Sequence, residues 1–411
     1  MTRFGAYYDA LAGNEEELFL FAKQKLLNGQ SSLINGNGPG SLACLSVRFA
    51  LEFNADSISR DVTCIQVERH MRLCVAATTG FERLVTIAGS EPLLAEAASQ
   101  LMRESLAKPV RHLANHSDLN CVDRGRRGEL VAALIIMQAR DAALSTSENG
   151  RWVSVSDFIQ ALLPQTAYDT LQNSLPTFWR EGEDIPFTET FRDYAMWFNH
   201  VIRVEDDKMI NSKLLWMFIT RGAMILCPHN QYGVDIVLPV CLKKGNLSPD
   251  TVTAILIQVK NAERFGCSID KTVFDGMDPL RAGLFDEDSQ RRPVIRIVFA
   301  LASGTPGVLF PARRERNSTR SNGFTAFDIW CAGLSSFKNV EDDLTAYQFL
   351  LARSLQPHDA FELKETNDRH LDIVTRTARG RRRRRMAALT MSNADHCRIH
   401  VKDDAEKGHE Q

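Results

Sequence analysis

Short apolar runs separated by turn residues fill the stretch between Arg221 and Asn261. The runs MILC, VDIVLPV and AILIQV are bounded by Gly, Pro, Asn and Asp. Runs of this length between turn residues predict strands. A fourth such run, VIRIVFA, follows Pro293. We therefore predict four strands of one sheet, at 222–227, 233–240, 252–260 and 294–301.

A helical pattern comes before these strands. Leu130, Leu134 and Met137 recur at three-to-four-residue spacing, which predicts a helix over 129–143 that packs against the sheet. The segments EEELFLFAKQKLL and EPLLAEAASQLMRESL show the same spacing within residues 1–118. We therefore expect a helical N-terminal region.

Residues 145–213 separate the predicted helix from the first predicted strand, and their pattern predicts a helical insertion. SVSDFIQALLP offers Ser156 as the N-cap of a short helix. FRDYAMWFNHVIRV carries aromatic and apolar residues at helical spacing. These are Phe191, Tyr194, Trp197, Phe198 and Val201. We interpret this stripe as part of the core, with a base-stacking platform as the alternative.

The character of the chain changes near its C-terminal end. Residues 359–411 are rich in charge and poor in large apolar residues, which predicts a disordered tail. Together these patterns predict a helical N-terminal region at 1–118 and an α/β domain at 119–358. The tail contains a dense basic cluster, for which a nuclear localisation signal, a nucleic-acid patch and a solvated tail are all open interpretations. The cluster comprises Arg376, Arg379 and Arg381–Arg385.

Composition narrows the partners and the compartment. The net charge of the 411 residues is −2, so affinity for nucleic acid would have to come from local patches. The nine cysteines form no Cys-x-x-Cys pair, which favours a reducing, intracellular setting. No apolar run reaches 18 residues, so we expect no membrane span.

Polar residues interrupt two of the predicted strands. Asp235 lies inside an apolar run, and Gln258 and Lys260 end the next one. Because strand side chains alternate, Gln258 and Lys260 share one face while Val259 points to the other. A buried carboxylate requires a metal ion or a hydrogen-bond donor. An ion pair of Asp235 with Lys260 or an arginine is therefore the structural alternative to a functional site.

These residues resemble a known motif. Asp235 on one strand, followed by Gln258-x-Lys260 on the next, resembles the PD-(D/E)XK motif of restriction-endonuclease-like nucleases, in the Gln-containing form of the Mrr-like branch. Glu129, at the start of the predicted helix, matches the acidic residue that such branches often carry before the sheet. The segments are also similar to nuclease-like domains of fungal Crinkler-type and NTPase-linked proteins. The resemblance covers roughly the middle half of the chain.

The resemblance implies an α/β fold in which a mixed sheet of at least four strands is flanked by helices. It further implies a metal-dependent nuclease that hydrolyses DNA phosphodiester bonds, an endodeoxyribonuclease. Mg²⁺ or Mn²⁺ would be held by Asp235, Gln258 and the Val259 carbonyl, with Glu129 on an outer-shell water or a second ion. Lys260 would position the attacking water and offset charge on the phosphate.

Two further expectations follow. Arg124, Arg126 and Arg127 cluster just before Glu129, either as phosphate contacts or as a solvated basic loop. The competing function is a catalytically inactive nuclease-fold module for protein or nucleic-acid interaction, which would use the helical N-terminal region for a protein partner. Convergence of Glu129, Asp235 and Gln258 within metal-bridging distance in an open cleft would favour the enzyme, and a sealed, paired Asp235 would favour the module.

Overall fold

The structure is a computed structural model of the chain. By their contacts the residues divide into two units, Met1–Leu355 and Gln356–Gln411. The structure describes residues 15–30, 32–33, 38–51, 53, 60–77, 84–105, 108–116, 127–145, 152–228, 231–244, 246–285, 291–313 and 323–352. The predicted disordered tail with its arginine cluster lies outside the described residues, as do Arg124, Arg126 and the side chain of Arg127.

Helices dominate the N-terminal region, as predicted. They are α1 (Glu15–Leu26), α2 (Pro39–Phe49), α3 (Arg60–Arg69), α4 (Pro92–Glu104) and α5 (Pro109–His116). Both α2 and α4 begin at a proline. Proline has no backbone N–H, and this suits the first turn of a helix because N–H groups there have no acceptor within the helix. An antiparallel hairpin that the sequence analysis did not predict lies between α3 and α4. Its strands are β1 (Leu73–Ala77) and β2 (Leu84–Ile87).

A mixed sheet of nine strands forms the centre of the described structure. Its strands are β3 (Val153–Ser154), β4 (Tyr194–Met196), β5 (His200–Arg203), β6 (Ala223–Leu226), β7 (Ile236–Leu242), β8 (Val252–Lys260), β9 (Val294–Ala300), β10 (Gly307–Leu309) and β11 (Ala326–Ala332). The order is β10-β11-β9-β8-β7-β4-β3, and β6 pairs with both β5 and β7. Strand β8 is antiparallel to β7 and parallel to β9.

The remaining helices flank this sheet. They are α6 (Arg127–Ser145), α7 (Val155–Leu162), α8 (Gln165–Gln172), α9 (Phe187–Thr190), α10 (Ser212–Thr220), α11 (Lys271–Gly276) and α12 (344–352). The predicted α/β fold with a mixed sheet flanked by helices is thus confirmed. The four predicted strands and the predicted helix all form, and β8 has the predicted bounds. Strand β7 begins later than predicted, because the backbone is irregular at Asp235.

The helical interpretation of 191–201 is wrong. Tyr194–Met196 forms β4 against β7, and His200–Arg203 forms β5 parallel to β6. The segment 145–213 therefore contains three strands of the central sheet as well as helices. Pairing with neighbouring strands overrides the local three-to-four spacing. The interpretation of the aromatic stripe as core is confirmed for Phe191 and Phe198, which are both buried.

One cap also differs from the expectation. Ser154, not Ser156, caps α7, since its hydroxyl accepts the N–H of Asp157. The helix begins at Val155, the residue after this cap, and follows directly from strand β3.

Two apolar cores cover the two faces of the sheet. Helix α6 packs in the first core with Ile255 and Ile257, whereas α11 packs in the second core with Leu256. The alternation along β8 separates these neighbours, as the period of a strand requires. In the described part of the chain, no helix combines the length and apolar character that a membrane crossing needs.

Candidate functional site

The predicted site residues gather at one end of the sheet. Strand pairing brings the C-terminal ends of β5, β6 and β8 to the N-terminal end of β7. Asp235 directly precedes β7, and Gln258, Val259 and Lys260 end β8. The elements that the sequence order predicted to meet are therefore neighbours in space.

The backbone of Asp235 is held between two strands. Its N–H donates to the Ile257 carbonyl at 2.9 Å, and its own carbonyl accepts the N–H of Cys227 at 2.9 Å. The ladder pairs Ile257 with Ile236, so Ile257 faces two consecutive residues and the register is irregular here. Such irregularities redirect side chains and are common beside functional sites. In this case the irregularity turns the carboxylate toward the end of β8.

Glycine makes this turn of the chain possible. Gly233 has φ of +86°, a left-handed conformation that side chains rarely adopt. A Cβ at this position would collide with the backbone of Gly276, at the end of α11. The approach to β7 is therefore fixed by a backbone-to-backbone contact that only glycine allows.

The Asp235 carboxylate is only partly compensated for its burial. Its Oδ2 accepts the N–H of Val259 at 2.6 Å. Burial raises the pKa of Asp235 above its usual value, while the Val259 N–H and the charge of Lys260 act in the opposite direction. Because the upward effect is the larger one, the ionised carboxylate would be stabilised by a further positive charge.

Gln258 and Lys260 face an open cleft of about 570 Å³. Both side chains line it, in agreement with the predicted alternation along β8. Gln258 is only 8% exposed, whereas Lys260 places its ammonium 5.6 Å from the Phe265 ring centroid. Lys260 acts on Asp235 through its charge. An amide oxygen and an ammonium thus border the same solvent-filled space.

Further lining residues come from turns after β8 and before β7, and the sequence analysis did not single them out. The lining includes Tyr232, Arg264, Phe265, Ser268, Asp270 and Thr272. Asp270 caps α11, because its carboxylate accepts the N–H of Thr272 at 3.0 Å. Hydrogen bonds from the Thr272 hydroxyl and N–H lower the pKa of Asp270, and the charges of Lys260 and Arg264 add to this. The cleft therefore carries two cations and one ionised carboxylate.

Glu129 extends from the first turn of α6, at the same end of the sheet. A Cβ at Gly128 would collide with the side chain of Asn261, so the start of α6 lies directly against the residue after β8. Glu129 Oε2 lies 3.8 Å from Arg203 Nη1, at the end of β5. Arg203 was missed because its segment was interpreted as helical.

Both acidic residues lie close enough to Cys227 to affect the pKa of its thiol. Burial raises the pKa of its thiol, and the charges of Asp235 and Glu129 raise it further. Both carboxylates therefore lie close to the end of β6. Glu129 thus lies at the same end of the sheet as the other site residues, but on the opposite face. Its helix α6 packs in the first core, whereas Gln258 and Lys260 are on the same side of β8 as Leu256, which belongs to the second core.

The donor set fits a hard cation in part. Among the described residues, no group of three or more His, Cys, Asp and Glu side chains is arranged to hold a metal ion. The oxygens near the end of β8 include the Asp235 carboxylate and the Gln258 amide. Mg²⁺ prefers oxygen ligands and often keeps several waters, so two protein ligands suit it.

Comparison with known proteins identifies a family of unknown function. The family described as "Domain of unknown function (DUF8736)" matches residues 36–277, more than half of the chain. The matched residues include Glu129, Asp235, Gln258 and Lys260. No curated protein and no solved structure matches the chain. The chain belongs to the family described as Domain of unknown function (DUF8736).

Proposed function

We propose that this protein is a divalent-cation-dependent nuclease that hydrolyses DNA phosphodiester bonds. One observation carries the proposal. A carboxylate with a raised pKa, Asp235, is hydrogen-bonded to the backbone between Gln258 and Lys260, whose side chains border an open cleft. Cation-dependent hydrolysis of a phosphodiester uses an anchored cation, a positive charge near the phosphate and space for the nucleic acid. Here Asp235 and Gln258 would hold the cation, Lys260 would supply the charge, and the cleft would supply the space.

Asp235 and Gln258 are the residues that would hold Mg²⁺ or Mn²⁺. A bound cation of this kind polarises the phosphate and lowers the pKa of an attacking water. Asp235 contributes a negative charge whose burial the Val259 N–H and Lys260 compensate only in part. The hydrogen bond from Val259 fixes the orientation of that carboxylate, and the Val259 carbonyl is a further oxygen of the proposed ligand set.

Lys260 supplies the charge that the phosphate requires. An ammonium is a compact point charge with three donors, so it suits a phosphate oxygen or an attacking water. Arg264 lines the same cleft and adds a second cation. Glu129, near the end of β6, would hold an outer-shell water or a second ion. Arg203 lies beside it and offsets part of its charge.

A catalytically inactive interaction module is the second candidate, and a specific observation favours it. Each acid already has a partner: Asp235 accepts the Val259 N–H, and Glu129 lies near Arg203. Under this alternative the cleft binds nucleic acid without cutting it, or the helical N-terminal region binds a protein.

A plasmid-nicking assay separates the two candidates. Purified full-length protein is incubated with supercoiled DNA and Mg²⁺ or Mn²⁺, with EDTA as the control. The nuclease proposal expects nicked or linear DNA that EDTA abolishes. Binding to the same plasmid without any cation-dependent cleavage would favour the module.

We further propose that the arginine cluster within 376–385 directs the protein to the nucleus, where DNA is available. Dense basic runs of this kind serve as localisation signals. Fusion of residues 371–390 to a cytoplasmic reporter tests this, and a reporter that stays in the cytoplasm would show that the cluster is not sufficient.

A further inference from the structure

The rim of the cleft carries a large exposed aromatic side chain. Tyr232 is 76% exposed, more than any other large apolar or aromatic side chain in the described part of the chain. It lines the same cleft as Lys260 and Arg264. An aromatic ring so far from the core contributes little to folding, which raises the question of what contacts it.

The backbone under Tyr232 is held firmly although its ring is exposed. The next residue, Gly233, is in backbone contact with Gly276 and has a left-handed conformation. A Cβ on Gly276 would lie 3.3 Å from Cε1 of Tyr232, so one part of the ring rests on the end of α11. The backbone that carries the ring is thus held in place, so this part of the chain needs no ordering when a ligand binds, which reduces the entropic cost of binding.

A second aromatic ring lies among cations in the same cleft. Arg264 places its guanidinium carbon 4.9 Å from the Phe265 ring centroid, and Lys260 its ammonium 5.6 Å from that centroid. Aromatic rings beside a positively charged groove are the combination that binds single-stranded nucleic acid, since bases stack on the rings and phosphates meet the cations.

We infer that the cleft takes an unpaired nucleotide of single-stranded nucleic acid, with its base stacked on Tyr232 and its phosphate near Lys260 and Arg264. This inference rests on the proposed function, because it names the form of nucleic acid that the site accepts. In a duplex the faces of the bases are covered by their neighbours and are not available to a ring. The cleft volume of about 570 Å³ lies within the range of small-molecule sites, so the cleft has room for one unstacked nucleotide.

Binding measured without cleavage tests the inference. Full-length protein is titrated in EDTA against fluorescein-labelled oligothymidylate of roughly 12 nucleotides, the usual site-size range. Two further probes are the same strand with abasic sites at its centre and a duplex of the same length. We expect the base-containing strand to bind ~10-fold more tightly than the abasic strand, from one base stacked on an aromatic ring.

Substitutions assign the effect to the ring. Tyr232→Ala is expected to abolish the advantage of the base-containing strand, while Tyr232→Phe keeps it because the ring remains. Phe349→Ala removes a partly exposed aromatic residue of α12 outside the cleft lining and serves as the matched control. Equal binding of base-containing and abasic strands by wild-type protein, or an advantage that persists in Tyr232→Ala, would overturn the inference.

The test also separates this inference from the proposed function. A Tyr232-dependent preference for base-containing strands, without Mg²⁺-dependent cleavage of either the plasmid or the single-stranded oligonucleotide, supports the binding site and removes the nuclease. Mg²⁺-dependent nicking without that preference, or a duplex that binds more tightly than the single strand, removes the inference and leaves the nuclease.

Discussion

Asp328 lies in β11 and Asp235 directly before β7, three strands away in the same sheet, and the two carboxylates have opposite environments. Asp328, in β11, is 4% exposed and receives two hydrogen bonds from the guanidinium of Arg296 in β9, both at 2.7 Å. Asp235 is half-buried and accepts one backbone N–H, and burial raises its pKa. An acidic residue in an apolar strand is therefore not a site in itself.

What separates the two residues is the completeness of their partners. Arg296 is 1% exposed, donates also to the Phe274 carbonyl, and lies over the ring of Phe178. Charge and hydrogen bonds at this pair are satisfied inside the core, which leaves nothing for a ligand to complete. Asp235 lies at the strand end, and the Val259 N–H that it accepts lies between Gln258 and Lys260, whose side chains line an open cleft. We therefore expect an incompletely compensated charge at a strand end to be a better indicator of a functional site than an acidic residue in an apolar strand alone.

The largest expected effect concerns Lys260 and the cutting of DNA. Lys260→Ala removes the cation nearest the proposed phosphate position, so the nicking rate should fall by several powers of ten, on the order of 4 kcal/mol of barrier. Lys244→Ala is the matched control, since Lys244 is exposed outside the cleft lining and pairs only loosely, at 3.7 Å, with Asp193. Equal losses in both variants would point to general electrostatics instead of a site.

A stability effect of similar size is expected at the closed pair. Asp328→Ala leaves the buried Arg296 uncompensated, so the free energy of unfolding should fall by about 3–5 kcal/mol in urea titrations. The double variant Arg296→Met with Asp328→Leu should recover much of this loss, because it removes both charges. A single variant as stable as the wild type would contradict the distinction between the two acids.

Gln258→Glu tests whether Gln258 is a ligand of the cation beside Asp235. A second carboxylate beside Asp235 adds a charged ligand for the cation, so the Mg²⁺ concentration needed for half-maximal nicking should fall, by roughly tenfold if one charge-assisted contact is gained. Gln258→Ala should raise that concentration. If Gln258→Glu instead loses all activity while Gln258→Ala retains it, Gln258 is not a cation ligand.

The smallest effect is the contribution of Asp235 itself to stability. A carboxyl group whose folded pKa is raised destabilises the folded protein when ionised, so Asp235→Asn should gain about 1 kcal/mol or less at neutral pH. The gain is fully present above the raised pKa and disappears as the pH falls below the ordinary value of 3.8, where both states are protonated. Urea midpoints measured across that pH range test the sign, and a variant that is less stable than the wild type at neutral pH would contradict it.

The sequence predicted the strands well where apolar runs end at turn residues, as at β8. It failed at β4 and β5, because short strands take their structure from partners far along the chain. Because Arg203 lies in β5, it was not predicted as a residue of the site. Tyr232 and Arg264 lie in turns, where periodicity carries no information, and they reach one cleft only through packing. The backbone that leads to Asp235 is fixed by the contact of Gly233 with Gly276, which no local pattern reveals. Asp328 also lies inside an apolar run, FTAFDIWCAG, so only the structure could separate the two acids.

One paired measurement tests the central claim, that Asp235 is an accessible, functional acid and not a structural one. Wild-type protein and Asp235→Asn are compared for Mg²⁺-dependent plasmid nicking and for urea unfolding on the same preparations. Asparagine keeps an oxygen for the Val259 N–H but removes the charge. The account predicts a variant at least as stable as the wild type whose nicking rate is lower by several powers of ten, on the order of 4 kcal/mol. An unfolded variant, or a folded one that cuts DNA at the wild-type rate, would contradict it.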